Sequence, residues 1–177
     1  MPVNVEGKFR LSNRKAIEEG LRGLSCERHT QTDYYVNYSG SKLKLREYED
    51  GRCELIQYQR ADVPTIKVSE YRIIPYASKD SFQAALKNFT KNYGLKGVVK
   101  KTRELYTVEN VRIHVDQVEG LGDFLEIETE VQTQDEPMGY FKQTEDVLKA
   151  LVAEDIGPAV AESYIDLTLQ GHVPHQE

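Results

Sequence analysis

At 177 residues, with 39% apolar and 29% charged side chains, the chain has the size of one domain, predicted over 1–177, and no run approaching the ~18 apolar residues of a membrane span. A net charge of -6 excludes the basic excess of a general nucleic-acid binder but leaves room for a concentrated basic pocket. MPVNVEGKF lacks the cationic and apolar regions of a secretory signal, and Cys26 and Cys53 make a poor disulfide framework; together these predict a cytoplasmic α+β domain with a small-molecule partner, no nucleic acid and no membrane.

VNVEGKFRL alternates apolar and polar residues and reads as a strand. Ser12-Asn13 then caps a short helix whose Ile17, Leu21 and Leu24 share one face. Four strand signals follow in quick succession: TDYYVNY, KLKLREY, CELIQYQ and IKVSEYRII, divided by the turn segments SGS, EDG and ADVP. A helix over 81–93 sets Phe82, Leu86, Phe89 and Tyr93 on one stripe and stops at Gly94. GVVKKTRELYTV, VRIHVDQV and GDFLEIETEV add three strands, and two helices close the chain, over 140–154 and 158–169, with Gly157-Pro158 between them. Many strands with short connections predict an antiparallel α+β fold.

Successive side chains of a strand point to opposite faces. Here the polar faces are rich in ligand-binding groups: Asn4, Glu6, Lys8 and Arg10 on the first strand, and Lys42, Lys44 and Arg46 on KLKLRE. Lys101 and Arg103 share a face, as do Arg112, His114 and Asp116, and Glu126, Glu128 and Glu130. On any single strand such a face is ordinary solvated surface, but a barrel closed with all of them inward would have a charged lumen. Two like charges about 6 Å apart repel by roughly 3 kcal/mol at an effective dielectric near 20. Inward cations therefore call for a polyanion such as triphosphate, which Lys and Arg grip well. Glutamates supply hard oxygen ligands for Mg²⁺ or Mn²⁺.

Asn4-x-Glu6-x-Lys8, the string TDYYVNYSGSKLKLRE, and then ELIQYQR, KTRELY, HVDQVEGLGDFLEIE and SYIDL resemble, in order, the segments of the CYTH, or triphosphate tunnel, superfamily, and within it the class IV adenylyl cyclase-like branch. The resemblance implies a closed eight-stranded antiparallel β-barrel with a polar, charged interior, surrounded by helices. It implies phosphate-binding roles for Lys8, Lys44, Arg46, Lys101 and Arg103. Glu6, Glu126 and Glu128 fall on the metal-binding, catalytic carboxylates, with Mg²⁺ or Mn²⁺ as cofactor. Asp116 falls on a further acidic residue, which positions either metal-bound water or a cation. Asn4, where the family signature has glutamate, keeps an oxygen ligand and loses a charge, which weakens metal binding there and puts a second metal in question.

Arg60 and Lys67 flank the ADVPT turn, either reaching the phosphate or nucleoside end or standing at a solvated hairpin tip. His114 is either a base or a hydrogen-bonded lining residue, and is read as lining. Asp33 supports the cationic strand through a salt bridge, and Tyr164 and Asp166 dock the last helix. The Tyr-rich segments read as packing at a tunnel mouth more readily than as a base-stacking platform. Gly120 and Gly122 form a turn between two site strands, not a phosphate loop. Three functions fit this reading. A cyclase would convert ATP to cyclic AMP and pyrophosphate; a triphosphatase would hydrolyse tripolyphosphate, a nucleoside triphosphate or thiamine triphosphate; a binding module would hold polyphosphate without turnover. The apolar outer faces leave room for a homodimer.

Overall fold

The computed structural model describes residues 2–152 and 156–171. Its strands are β1 (Val3–Leu11), β2 (Ser25–Val36), β3 (Lys42–Tyr48), β4 (Cys53–Arg60), β5 (Lys67–Pro75), β6 (Leu95–Val108), β7 (Val111–Val118), β8 (Gly122–Glu130) and β9 (Ile156–Ala159). Their order in the sheet is β5-β4-β3-β2-β6-β7-β8-β1-β9, and a further β5–β1 pairing closes the first eight into an antiparallel barrel. The closure is partial along β1. Its first half pairs with β5 from Val3↔Glu70 to Glu6↔Lys67, and its second half pairs with β9 through Phe9↔Ala159 and Leu11↔Ile156.

Four helices cover the outside: α1 (Arg14–Gly20), α2 (Lys79–Tyr93), α3 (Phe141–Val152) and α4 (Tyr164–Gly171). Helix α1 starts where Asn13 accepts from the Ala16 amide at 3.2 Å, and α2 starts on a reciprocal Ser78–Ser81 capping box. Apolar side chains lie between barrel and helices in three clusters. Ile17, Leu21 and Leu148 cover β6–β8; Phe82 covers β2–β4; Tyr164, Ile165 and Leu167 pack with Phe124 and Val99 at one end of the barrel. The core is thus outside the barrel wall, and the charged strand faces are turned inward.

Three expectations need correction. The helix expected over 158–169 begins later, at Tyr164, because β9 takes 156–159. Pro158 has no amide to donate, which an edge strand beside β1 tolerates. The helix expected from 140 is preceded by a 3-10 turn over Pro137–Tyr140, and the end expected for it at 154 lies outside the described residues. Strand β2 starts at Ser25, well before Thr32, through a stretch with no apolar alternation. The turn carrying Gly120 (φ 80°) and Gly122 (φ 103°) joins β7 to β8, and both need the left-handed region that glycine occupies freely.

Helix α4 is docked by close approach and by charge. Asp166 pairs with Lys96 at 2.7 Å, and a Cβ placed on Gly97 would run into Ile165 Cδ1. Gly97→Val is therefore expected to overpack this contact and lower stability by about 1–3 kcal/mol. A urea unfolding midpoint equal to that of the wild type would show that α4 does not depend on the contact.

Candidate functional site

The inward faces enclose a cavity of about 390 Å³. Strand β2 reports its depth: Tyr35, Asp33 and Gln31 are buried, His29 is half-buried and Glu27 is exposed. Side-chain exposure is 69% for Glu27 and 59% for Arg52 at one end, against 5% for Lys8 and 1% for Lys101 at the other. The inner end is closed by α4 and the residues before it. Lys8 Nζ donates to the Glu162 carbonyl at 3.1 Å and sits 4.1 Å from the centre of the Tyr164 ring. Tyr35, Tyr58 and Ser163 line both this cavity and a smaller neighbouring pocket of about 140 Å³. Among the described residues, the lining becomes exposed toward the Glu27 and Arg52 end.

Inside, the cations are fixed by two fully buried aspartates. Arg46 donates to Asp33 from Nε at 2.7 Å and from Nη2 at 2.9 Å, while Lys44 and Lys101 both lie 3.3 Å from Asp33 Oδ2. Arg103 donates twice to Asp116, each at 2.7 Å, and Tyr164 donates to the same carboxylate at 2.8 Å. Burial opposes the charge on both aspartates, yet their cations hold both carboxyl groups below the usual range, Arg46, Lys101 and Lys44 at Asp33 and Arg103 at Asp116. The lysines are poised differently. Burial, only partly offset by carboxylates, lowers Lys8 and Lys44 to about 7 and Lys101 to about 8.

The carboxylates gather on the opposite wall. Ligand atoms of His114, Glu126 and Glu128 all lie within 4.8 Å of one another. Antiparallel register places His114 opposite Glu126 across β7 and β8, and Glu128 opposite Glu6 across β8 and β1. Glu126 is 3.9 Å from Lys8 and 3.6 Å from Arg103. Burial works against its ionisation, but Lys8, His114 and Arg103 outweigh that and keep it well below the ordinary carboxyl range. Glu6 is the exception, pushed up by burial and by Glu128 against the pull of Arg60, which donates to it at 3.2 Å. Gln31 Oε1, Arg60 Nε and His114 Nδ1 are, among the described residues, buried polar atoms with no hydrogen-bond partner. Polar atoms left so are uncommon inside proteins and mark a place for a ligand or water.

A family model, the CYTH domain, matches residues 3–156. The chain belongs to the CYTH family. A Methanocaldococcus jannaschii protein named "putative adenylate cyclase" is 26% identical over 93% of this chain and 98% of its own. Among solved structures, the PH1012 protein of Pyrococcus horikoshii is 27% identical with a TM-score of 0.75, covering 93% of this chain and 98% of that one. A Vibrio parahaemolyticus protein, also named "putative adenylate cyclase", shares the fold with a TM-score of 0.72 at 21% identity, over 94% of this chain and 97% of that one.

In this CYTH tunnel, Glu6, Lys8, Lys44, Arg46, Arg60, Lys101, Arg103, Glu126 and Glu128 all line one cavity. Asp116 stands behind it, fully buried, holding Arg103. Lys67 is buried and the Arg60 side chain is only 8% exposed, so neither stands at a solvated tip; Lys67 donates to the Val63 carbonyl within the turn at 2.8 Å. Arg10 leaves the row, with its guanidinium 5.0 Å from the Phe124 ring centre, whereas Arg112 lines the cavity and donates to Glu128 at 3.1 Å. Lys42 pairs with Asp62. His114 joins Glu126 and Glu128 in the group of close ligand atoms, and Glu6 is outside that group. Two carboxylates and an orphaned imidazole nitrogen suit a divalent cation, so the donor set fits the metal that the family resemblance implies. Glu27, His29, Tyr48, Arg52, Glu54 and Leu105 also line the cavity and escaped the sequence reading. For His29 the signal was parity with Gln31 and Asp33.

The lowered lysines set a pH dependence. A polyanion favours their charged forms, so a triphosphate bound there would raise all three values and take up protons on binding. Affinity for tripolyphosphate is expected to be highest below pH 7 and to fall as pH rises through about 7 at Lys44 and about 8 at Lys101. Calorimetry from pH 6 to 9 checks this, with Lys44→Arg as the control that keeps its charge. Identical pH profiles for variant and wild type would contradict it.

Proposed function

We propose that this CYTH protein is a divalent-metal-dependent enzyme acting on a nucleoside triphosphate, in the manner of class IV adenylyl cyclases. The observation that carries the reading is that buried cations and the His114–Glu126–Glu128 group share one cavity. The names of the archaeal and Vibrio relatives favour ATP.

Lys8, Lys44, Lys101 and Arg103 bind the phosphate chain, and Asp33 and Asp116 hold Lys44, Lys101 and Arg103 in place. Glu126, Glu128 and His114 would hold the metal, with Glu6 as the adjoining carboxylate. Bound there, a divalent ion supplies charge neutralisation at the phosphorus under attack. In the cyclisation the ribose 3′-oxygen bonds to the α-phosphorus and gives up its proton, which ends on the departing pyrophosphate. The bond from that phosphorus to the bridging oxygen breaks, and pyrophosphate leaves. Packing of the inner end by α4 excludes bulk water from the cations, which strengthens their grip on the chain.

The test is incubation with ATP, tripolyphosphate or thiamine triphosphate plus Mg²⁺ or Mn²⁺, followed by anion-exchange separation. Cyclic AMP with pyrophosphate is expected. Orthophosphate release would replace the cyclase with a triphosphatase. No turnover, with a raised melting temperature in tripolyphosphate, would leave a binding module.

A further inference from the structure

The open end of the tunnel is built differently from the closed end. Tyr48 and Arg52 form a stacked pair there, with the guanidinium carbon 4.4 Å from the ring centre. His29 meets the edge of the same ring at 5.7 Å and approaches Arg52 Nη2 with its Nδ1 at 3.4 Å. The platform is braced on two sides. Asp50 accepts from Arg52 Nε at 2.8 Å, and Tyr48 donates to Glu54 at 2.6 Å. Leu105 lines the same mouth and adds apolar surface. A phosphate site has unspent positive charge; here Asp50 answers Arg52, and Glu27, 3.2 Å from His29, adds a negative charge. What the mouth offers is a flat cation–aromatic face, the chemistry that holds an aromatic ring by stacking.

Lys101 and Leu105 lie four residues apart on β6, about 13 Å along the strand. That separation suits a phosphate chain inside and a ring outside. We propose that the mouth platform of Tyr48, Arg52 and His29 is the nucleobase subsite, so that the ligand enters terminal phosphate first and its base stacks at the opening. The inference rests on the triphosphate reading of the tunnel. It deepens that reading by giving the base a place and the ligand a direction in the tunnel.

The experiment compares ATP with tripolyphosphate by calorimetry, without metal, on wild type, Arg52→Ala and Tyr48→Leu. Arg52 is exposed and already paired with Asp50, so its loss changes the field at the inner cations little. Both variants are expected to weaken ATP at least about fivefold, the low end of base stacking, and to leave tripolyphosphate within about twofold. Equal losses for both ligands would make Arg52 a phosphate cation and overturn the subsite. Unchanged ATP affinity in both variants, with tripolyphosphate still bound, would overturn the subsite alone. Failure of the wild type to bind tripolyphosphate at all would overturn the triphosphate reading and this proposal with it.

Discussion

Asp33→Asn is expected to lower stability by about 3–5 kcal/mol, the cost of breaking a buried ion pair from one side. Asp33 has no exposed surface, and it is the shared counterion of Arg46, Lys44 and Lys101. Asparagine keeps the shape and removes the charge, leaving three cations facing one another in a dry space. The lysines can lose protons in response, but Arg46 cannot. Because Asp33 has its native value below the unfolded one, its stabilisation is complete above about pH 4 and is lost as pH falls through the native value. The variant should therefore differ most from wild type near neutrality and least in acid. Tripolyphosphate brings negative charge to the same cations, so it should raise the melting temperature of Asp33→Asn more than that of wild type. An equal shift in the two proteins would place the anion elsewhere.

Glu126→Gln is expected to reduce turnover at least tenfold, about 1.4 kcal/mol of barrier. Glu126 stands between the two halves of the site, close to His114 on one side and to Lys8 and Arg103 on the other. The amide keeps an oxygen donor but removes the charge that draws a divalent ion. The metal concentration for half-maximal rate should rise, while metal-free binding of tripolyphosphate should hold or tighten, because an anion has left the cations. Rates that match wild type at limiting Mn²⁺ would remove Glu126 from the site.

Much of the barrel could be read from alternation, because most strands place an apolar face outside and an ionisable face inside. Where one face lost that contrast, the reading failed. The first half of β2 carries Glu27, His29 and Gln31 inward and exposed residues outward, so no period separates it from a loop, and half of the mouth went unseen with it. β9 is short, and the Gly157-Pro158 pair within it imitates a helix start. Its strand character comes only from the part of β1 that β5 leaves unpaired. In the site, Asp33 as a salt-bridge partner followed from charge alone. His114 beside Glu126 and Glu128 required the register of β7 against β8, which depends on where the glycine turn places the two strands. Arg52 lies in the turn between β3 and β4, where periodicity has no meaning.

The most direct measurement is an anomalous difference map from crystals grown with tripolyphosphate and Mn²⁺. A phosphate chain is expected against Lys8, Lys44, Lys101 and Arg103, with one manganese peak among His114, Glu126 and Glu128. Phosphate density confined to the outer surface, with no manganese at those three residues, would contradict it.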